Sequence, residues 1–303
     1  MTNRIVKHLP LSVLILAVFS SGSALAGNHW DSVEVQTVSV RDGLYMLMGE
    51  GGNIGVSVGE DGTFIIDDQY AEMTDKISSA LGAVSGSTPR FLVNTHWHGD
   101  HAGGNENFGK KGSIIVAHEN VREALKVEKS IPAFNMVKPP SPKEALPLIT
   151  YQREMSLHLN GDDLRLYHVA NAHTDGDSIV HFSKANVLHT GDVFFNGFYP
   201  FIDTASGGSI AGMIAASKKL LDLADEKTRI MPGHGPLASK AELQAYHDML
   251  VTAEANIAAL KKAGKSVEDV VAAKPTAGLD GEWGDGFLQP DVWVSIVYAG
   301  MKD

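Results

Sequence analysis

The feature that most constrains this chain is the hexapeptide His96-Trp97-His98-Gly99-Asp100-His101, which places three imidazoles and a carboxylate within six residues. On an extended segment, His96 and His98 project to the same side, so both can reach one cation. Gly99 permits a sharp turn, after which Asp100 and His101 can face a neighbouring position. A solvated loop that happens to be rich in histidine is the alternative. The order and density of the groups favour a metal site.

Three further candidate ligands follow the motif, each where a strand-like run gives way to a loop. They are His173 in Ala-His-Thr-Asp-Gly-Asp, Asp192 in Thr-Gly-Asp and His234 in Pro-Gly-His-Gly. Each is a weak signal alone, but their order after the first motif makes them a set. The chain contains no cysteine, so any metal site must use imidazoles and carboxylates. Such ligands suit zinc, and less selectively iron or manganese.

The N-terminus has the layout of a secretory signal peptide. Arg4 and Lys7 precede an apolar run over residues 9–19, and Ala24-Leu25-Ala26 offers a cleavage site. An uncleaved anchor is the alternative, but a spanning helix needs ~20 apolar residues. We therefore expect residues 1–26 to be removed after Ala26. Residues 27–303 would then form one periplasmic or secreted domain without stable membrane insertion.

The formal net charge of −11 excludes some classes of partner. Loss of Arg4 and Lys7 with the signal peptide would make the chain more acidic still. An acidic protein of this kind is a poor match for nucleic acid or an anionic lipid surface. We expect a small-molecule substrate, and the sequence leaves the oligomeric state open.

Short β-type runs alternate with helical ones, which predicts a mixed α/β fold. Two β-rich halves, each closed by helices, indicate two packed sheets inside and helices outside. Residues 130–147 carry five prolines and predict a long surface loop. Ser239 and Glu242 form a capping box at the start of a helix. The predicted strands are 33–40, 44–48, 54–58, 63–66, 90–94, 113–117, 157–159, 164–168, 179–182 and 187–188, and the other predicted helices are 71–84, 104–108, 121–127 and 210–223.

Taken together, these motifs resemble the metallo-β-lactamase superfamily. The pattern is His-x-His-x-Asp-His, then a His, an Asp in Thr-Gly-Asp and a final Gly-His, and the resemblance spans residues 53–235. It implies an αββα four-layer sandwich with metals at one edge of the sheets. It also implies that the first metal is held by His96, His98 and His173, the second by Asp100, His101 and His234, and that Asp192 bridges them.

The resemblance places Asp67 where the family has an acid that orients a ligand, although an ordinary turn aspartate is equally consistent with the sequence. Asp192 stands where the true β-lactamases of the superfamily have Cys or Ser, and a bridging Asp makes the chain similar instead to glyoxalase II, lactonases and general hydrolases. The resemblance therefore implies a dizinc hydrolase that cleaves an ester, thioester, lactone or amide bond with a metal-activated water, with Asp100 as a proton acceptor.

Three other functions remain as alternatives. The first is β-lactamase activity, with which export is compatible. An iron oxidoreductase of the persulfide-dioxygenase type uses the same fold, although its flavin-linked di-iron relatives have Glu where this chain has His98. A binding protein without activity is the third, but such members usually lose ligands and none is missing here.

Overall fold

Each half of the chain contributes one sheet to the computed structural model, which describes residues 29–85 and 88–301. The first sheet has seven strands in the order β1-β2-β3-β4-β5-β6-β9. These strands are β1 (Gln36–Arg41), β2 (Leu44–Met48), β3 (Ile54–Gly59), β4 (Gly62–Ile66), β5 (Phe91–Val93), β6 (Ile114–His118) and β9 (Ile149–Tyr151).

The second sheet has five strands in the order β10-β11-β12-β13-β14. They are β10 (Glu154–Leu159), β11 (Asp162–His168), β12 (Ser178–Phe182), β13 (Val187–His189) and β14 (Arg229–Met231). Burial alternates along β10, as expected for a strand with one solvated face, whereas most of β4 is buried. Strand types therefore follow the apolar pattern of the sequence.

Helices follow the strands of both sheets. They are α1 (His29–Ser32), α2 (Thr74–Val84), α3 (Gly99–Ala102), α4 (Asn105–Lys110), α5 (Glu119–Leu125), α6 (Ile210–Leu223), α7 (Lys240–Lys262), α8 (Val267–Ala272), α9 (Asp280–Trp283) and α10 (Pro290–Gly300). The predicted capping box is present at the start of α7, where the Ser239 side chain accepts from the backbone and Glu242 bonds back to it. None of the described helices is long and apolar enough to cross a membrane.

Two clusters of buried apolar side chains hold the layers of the fold together. One lies between the sheets and joins side chains such as Met46 and Phe64 from the first sheet to Leu166 and Phe182 from the second. The other packs Ile179 and Leu188 of the second sheet against side chains of α6, α7 and α10. The expected αββα class is confirmed.

The prediction of one long loop over residues 130–147 is wrong in part. The first half of this segment forms a two-stranded hairpin of β7 (Lys129–Ile131) and β8 (Met136–Lys138), joined by a 3-10 turn at Pro132–Phe134. Asn135 closes the turn with a φ of 50°, a left-handed conformation that Asn tolerates. The prolines lie in the turn and after β8, where no ladder hydrogen bond is needed.

Among the described residues, those from 33 to 301 group into one compact unit, and residues 29–32 belong to a separate group. Of the second group, the described residues form the short helix α1. The expected signal peptide, residues 1–26, lies outside the described residues.

Candidate metal centre

The candidate site forms where several strands end at the same edge of the molecule. β5 runs parallel to β4 and leads through Asn94 and Thr95 into the histidine motif. β13 and β14 are also parallel, and Asp192 and His234 follow their carboxyl ends. Because the ends of parallel strands meet at one edge, residues far apart in sequence become neighbours.

The seven predicted side chains are brought together in two groups. In the first, His96 Nε2 lies 3.2 Å from His98 Nδ1, which lies 2.8 Å from His173 Nε2. Asp192 Oδ2 completes the group, at 3.8 Å from His96 Nε2 and 3.4 Å from His173 Nε2. Four ligands held tetrahedrally at ~2.1 Å from a zinc ion would be about 3.4 Å apart. The spacing of these four atoms therefore fits one cation.

The second group uses the other oxygen of the same aspartate. Asp192 Oδ1 lies 2.9 Å from His101 Nε2 and 3.4 Å from His234 Nε2. The two imidazole nitrogens are 3.2 Å apart, and Asp100 Oδ2 lies 3.3 Å from His234 Nε2. Asp192 thus presents one oxygen to each group, which is the geometry required of a bridging carboxylate.

Hydrogen bonds around the first group fix which ring nitrogens carry protons. His173 Nδ1 lies 2.7 Å from the carbonyl oxygen of Phe201 and must donate to it. His98 Nε2 lies 3.0 Å from Asp203 Oδ2 and likewise donates. The remaining nitrogens, His173 Nε2 and His98 Nδ1, therefore face each other as lone pairs at 2.8 Å. Such a contact is repulsive unless a cation lies between the two nitrogens, so the donor set fits a metal ion.

Asp67 organises the other histidines of the motif. Its carboxylate accepts hydrogen bonds from the Thr95 backbone N–H and hydroxyl, both at 2.7 Å. The Thr95 hydroxyl oxygen can then accept from His96 Nδ1 at 3.1 Å, and Asp67 Oδ2 accepts from His101 Nδ1 at 2.8 Å. The His96 ring thus turns an unprotonated Nε2 toward the site. The His101 ring turns Nε2 toward Asp192 Oδ1, and although burial acts against its charged form, Asp192, Asp100 and Asp67 raise the pKa of His101 well above its usual value. Fixing these two rings is the orienting role that the resemblance implied for Asp67.

Burial and neighbouring charges shift the pKa values of the histidines in the two groups in opposite directions. Burial lowers the pKa of His96, and lowers the pKa of His173 to about 4, so both rings are neutral at neutral pH. Burial also acts against the charged form of His234, but Asp192 and Asp100 outweigh it and raise its pKa to about 9. Although burial by itself raises the pKa of Asp192, the surrounding imidazoles hold that pKa well below its usual value. The second group therefore attracts positive charge strongly.

Two glycines allow the backbone to approach the ligands. A Cβ on Gly52 would meet the His101 ring at 2.0 Å, and one on Gly233 would lie 2.2 Å from Asp192 Oδ1. Asn53 holds the two segments together, because its Nδ2 donates to the carbonyls of Pro232 and Gly235. The loop after β2 is therefore a packed support for the site and not a free flap.

Sequence reasoning missed Asp203, whose carboxylate binds His98 from 105 positions along the chain. A single acid in a turn carries no local pattern that could have identified it. The turn expected at Gly99 takes the form of a helix start. The chain turns there by beginning α3, and Gly99 does not adopt a positive φ. Asp100 and His101 consequently lie on one helical turn.

Comparison with known proteins gives consistent results. The family described as metallo-beta-lactamase superfamily matches residues 48–234, which is more than half of the chain. A Caenorhabditis elegans protein named beta-lactamase-like protein 2 homolog is 29% identical over 185 residues, covering 58% of this chain. The aligned region spans only 53% of that relative's length.

Solved structures share the fold at low sequence identity. A metallo-beta-lactamase from Pontibacter korlensis superposes with a TM-score of 0.60 at 16% identity, over 72% of this chain and 99% of that one. The DIM-1 metallo-beta-lactamase superposes with a TM-score of 0.58 at 17% identity, over 73% and 99% respectively. At such identities the likeness concerns the fold alone.

Proposed function

Because the chain belongs to the metallo-β-lactamase superfamily, we propose that it is a dinuclear zinc hydrolase that cleaves an ester, thioester, lactone or amide bond. Members of this superfamily are mostly metal-dependent hydrolases. The observation that carries the proposal is the position of Asp192, which turns one oxygen to each group of ligand atoms. Two sites sharing one carboxylate are the arrangement that a two-metal hydrolase needs.

In this proposal His96, His98 and His173 hold the first ion, Asp100, His101 and His234 hold the second, and Asp192 bridges them. All seven donors are imidazole nitrogens or carboxylate oxygens, since the chain has no cysteine. Zinc suits this set and the near-tetrahedral spacing of the first group. Iron and manganese accept the same donor types, so metal analysis is part of the test.

The protein's own residues prepare the site for hydrolysis. Two divalent cations, when bound, would lower the pKa of a shared water from ~15.7 toward ~7 and polarise the substrate carbonyl. Asp100 and His234 are the most exposed of the seven side chains, at 23% and 19%, so substrate enters on their side. The Asp100 carboxylate can accept a proton there and deliver it to the leaving group. Asp67 and Asp203 keep His101 and His98 in the required orientation.

Asp192 and the comparisons support the proposed substrate classes. With an aspartate at this position the chain resembles glyoxalase II and lactonases. This resemblance favours thioesters and lactones as substrates. Lactam hydrolysis is the second candidate, because solved proteins of this fold carry the name metallo-beta-lactamase.

The test is a hydrolysis panel on zinc-loaded protein, with lactones, thioesters, esters and lactams as substrates. We expect two zinc ions per chain and turnover of at least one class. Asp192→Ala should lose nearly all activity and bind less than two zinc ions. The matched control is Asp163→Ala, which removes an exposed carboxylate paired with His158. Full activity in the Asp192 variant would exclude the bridging role, and an iron-loaded, redox-active protein would favour the oxygenase alternative.

We also propose that the protein is exported, either to the periplasm or as a secreted protein, and that its mature form begins at Gly27. N-terminal sequencing of protein recovered from a periplasmic fraction tests this directly. Recovery of an intact N-terminus from the cytoplasm would contradict it.

A further inference from the structure

Five phenylalanines from three distant segments meet beside the candidate metal centre. We call them the aromatic rim: Phe134, Phe195, Phe198, Phe201 and Phe287. Phe134 lies at the tip of the β7–β8 hairpin, Phe287 lies between α9 and α10, and the other three follow Asp192 along the chain. The ring centroids of Phe134 and Phe201 are 4.7 Å apart, those of Phe198 and Phe287 are 5.9 Å apart, and those of Phe134 and Phe287 are 6.3 Å apart. These distances fall within the range of favourable aromatic pairs.

The rim is continuous with the proposed ligands. Phe195 stacks on the His234 ring at 5.1 Å, and Phe201 lies 5.9 Å from the His98 ring and 5.7 Å from the His173 ring. Apolar rings therefore adjoin imidazoles of both groups. A substrate whose carbonyl reached the metals would have its neighbouring substituent against this rim.

Burial divides the rim into a base and an exposed edge. Phe195 and Phe201 are buried, whereas Phe134 is 39% and Phe287 is 54% exposed. Leaving two large rings partly in water is unfavourable, and a contiguous exposed apolar surface commonly marks a binding site. The rim contributes no charged or hydrogen-bonding side-chain group. Its chemistry therefore selects an uncharged apolar group.

The hairpin that carries Phe134 is held against the metal-binding motif. Lys138, at the end of β8, donates from Nζ to the Trp97 carbonyl oxygen at 3.1 Å, between His96 and His98 in sequence. The Lys129 and Lys138 ammonium groups both lie over the Trp97 ring, at 5.3 and 5.7 Å from its centroid. These contacts fix the hairpin next to the site, so the position of Phe134 is defined before any substrate arrives.

We propose that the aromatic rim is the acyl-binding subsite of this enzyme and that it selects substrates with an aryl or branched alkyl group next to the scissile carbonyl. The inference rests on the proposed hydrolase function. A second copy of the chain is a poor occupant, since the exposed parts of Phe134 and Phe287 amount to roughly 200 Å². A stable dimer buries about 800 Å² on each partner.

A binding experiment tests the rim without requiring turnover. Acetophenone and acetone are neutral carbonyl compounds that cannot be hydrolysed, and their affinities can be compared by NMR titration of both metal-free and zinc-loaded protein. We expect acetophenone to bind the parent protein more tightly than acetone. In Phe134→Ala/Phe287→Ala the ratio of the two affinities should fall roughly tenfold. Met136→Ala, an exposed apolar residue of the same hairpin, should keep the parent ratio.

Turnover supplies the second measurement. The ratio of kcat/KM for benzoyl over acetyl thioesters should fall roughly tenfold in the double variant, mainly through KM. If the zinc enzyme hydrolyses both thioesters and the double variant keeps the parent ratios of affinity and of kcat/KM, the subsite is excluded while the hydrolase function stands. If the affinity ratio falls as expected but no substrate is turned over, the rim is a binding site and the hydrolase proposal fails. A double variant that only converts a dimer to a monomer would identify the rim as an interface and overturn the inference.

Discussion

At the residue scale, each histidine in the motif and His173 has one ring nitrogen committed to a protein acceptor, which turns the other nitrogen toward the candidate metal site. The acceptors differ in kind. They are a hydroxyl for His96, a carboxylate for His98, a carboxylate for His101 and a backbone carbonyl for His173. Such partners fix the tautomer and the ring orientation. Metal affinity should therefore be sensitive to residues that never touch the metal.

Asp203→Asn tests this sensitivity at His98. The Asp203 carboxylate accepts from His98 Nε2 at 3.0 Å and from the Ser206 backbone N–H at 3.1 Å. An amide has only one acceptor oxygen, so one of the two donors must face an NH₂ group. We expect zinc affinity, measured by competition with a chelator, to fall roughly 10- to 100-fold with the fold retained. Asp163→Asn is the exposed control, and an unchanged affinity for the Asp203 variant would show that His98 needs no such partner.

Gly233→Ala tests the space beside the bridging carboxylate. The added methyl would lie 2.2 Å from Asp192 Oδ1 and 2.5 Å from the Gly191 carbonyl oxygen, so the loop or the carboxylate must move. We expect loss of most activity and a free energy of unfolding lower by about 1–3 kcal/mol. The matched control is Gly82→Ala, where nothing lies within 4 Å of the new atom in an exposed part of α2. That change should stabilise the protein by roughly 0.5–1 kcal/mol, as measured by denaturant unfolding.

The residues that sequence identified and those that it missed differ in one respect. The seven candidate ligands lie in short motifs of dense chemistry or next to glycine, so local sequence marks them. Asp203 has ordinary neighbours, and its role exists only because the chain returns to His98 after 105 residues. Phe287 was missed for the same reason. Its place in the rim depends on the packing of the C-terminal segment, where the close approach of Gly286 to Phe198 leaves no room for a side chain.

At the scale of elements, apolar periodicity predicted most strands and the helices α2, α4, α5, α6 and α7 to within a few residues. Residues 210–223 were predicted as one helix, and α6 has those limits because Ser209 caps its first turn. The β7–β8 hairpin was missed because prolines dominate its surroundings. Its three-residue strands and its turn were too short for an alternating pattern to stand out.

A pair of stacked histidines joins the two sheets. We expect this pair to make the stability of the fold depend on pH. His118, at the end of β6, stacks on His168, at the end of β11, with ring centroids 3.7 Å apart. His118 donates from Nε2 to the Gln152 carbonyl and accepts from the Asn120 N–H, and His168 Nδ1 lies 3.0 Å from the Asp177 carbonyl. Burial, and then the neighbouring His118, lower the pKa of His168. The neutral form of His168 therefore stabilises the fold.

The sign of the dependence follows from proton linkage. The unfolded chain protonates His168 near its ordinary pKa of roughly 6.5, whereas the folded chain resists protonation, so unfolding takes up a proton as the pH falls below that value. The contribution of this residue is present above pH ~6.5 and is lost below it. We expect the unfolding free energy of the zinc-loaded protein to fall less steeply between about pH 7.5 and 5.5 in His168→Gln, which keeps a donor for the Asp177 carbonyl. Equal slopes for variant and parent would contradict the assignment.

At the scale of the whole molecule, the candidate site joins the two halves of the fold. His96, His98, Asp100 and His101 follow β5 of the first sheet, whereas His173, Asp192 and His234 lie in segments that follow strands of the second. Without a cation, the lone pairs of His98 Nδ1 from one half and His173 Nε2 from the other face each other at 2.8 Å, at a cost in free energy. A bound metal would turn this cost into a cross-link between the sheets. Stability and metal occupancy should therefore be coupled.

Metal removal measures that coupling. Ligand present at a thousandfold excess over its dissociation constant stabilises a folded protein by about 4 kcal/mol, and each kcal/mol changes the Tm of a domain of this size by roughly 2–4 °C. Stripping zinc with a chelator should therefore lower the Tm by roughly 10 °C in calorimetry, and zinc should restore it. Asp192→Ala removes the carboxylate shared by both groups, so its Tm should respond far less to the chelator. A parent protein with the same Tm before and after removal of measured zinc would show that the ions do not hold the sheets together, because a ligand that binds only the folded state must stabilise it.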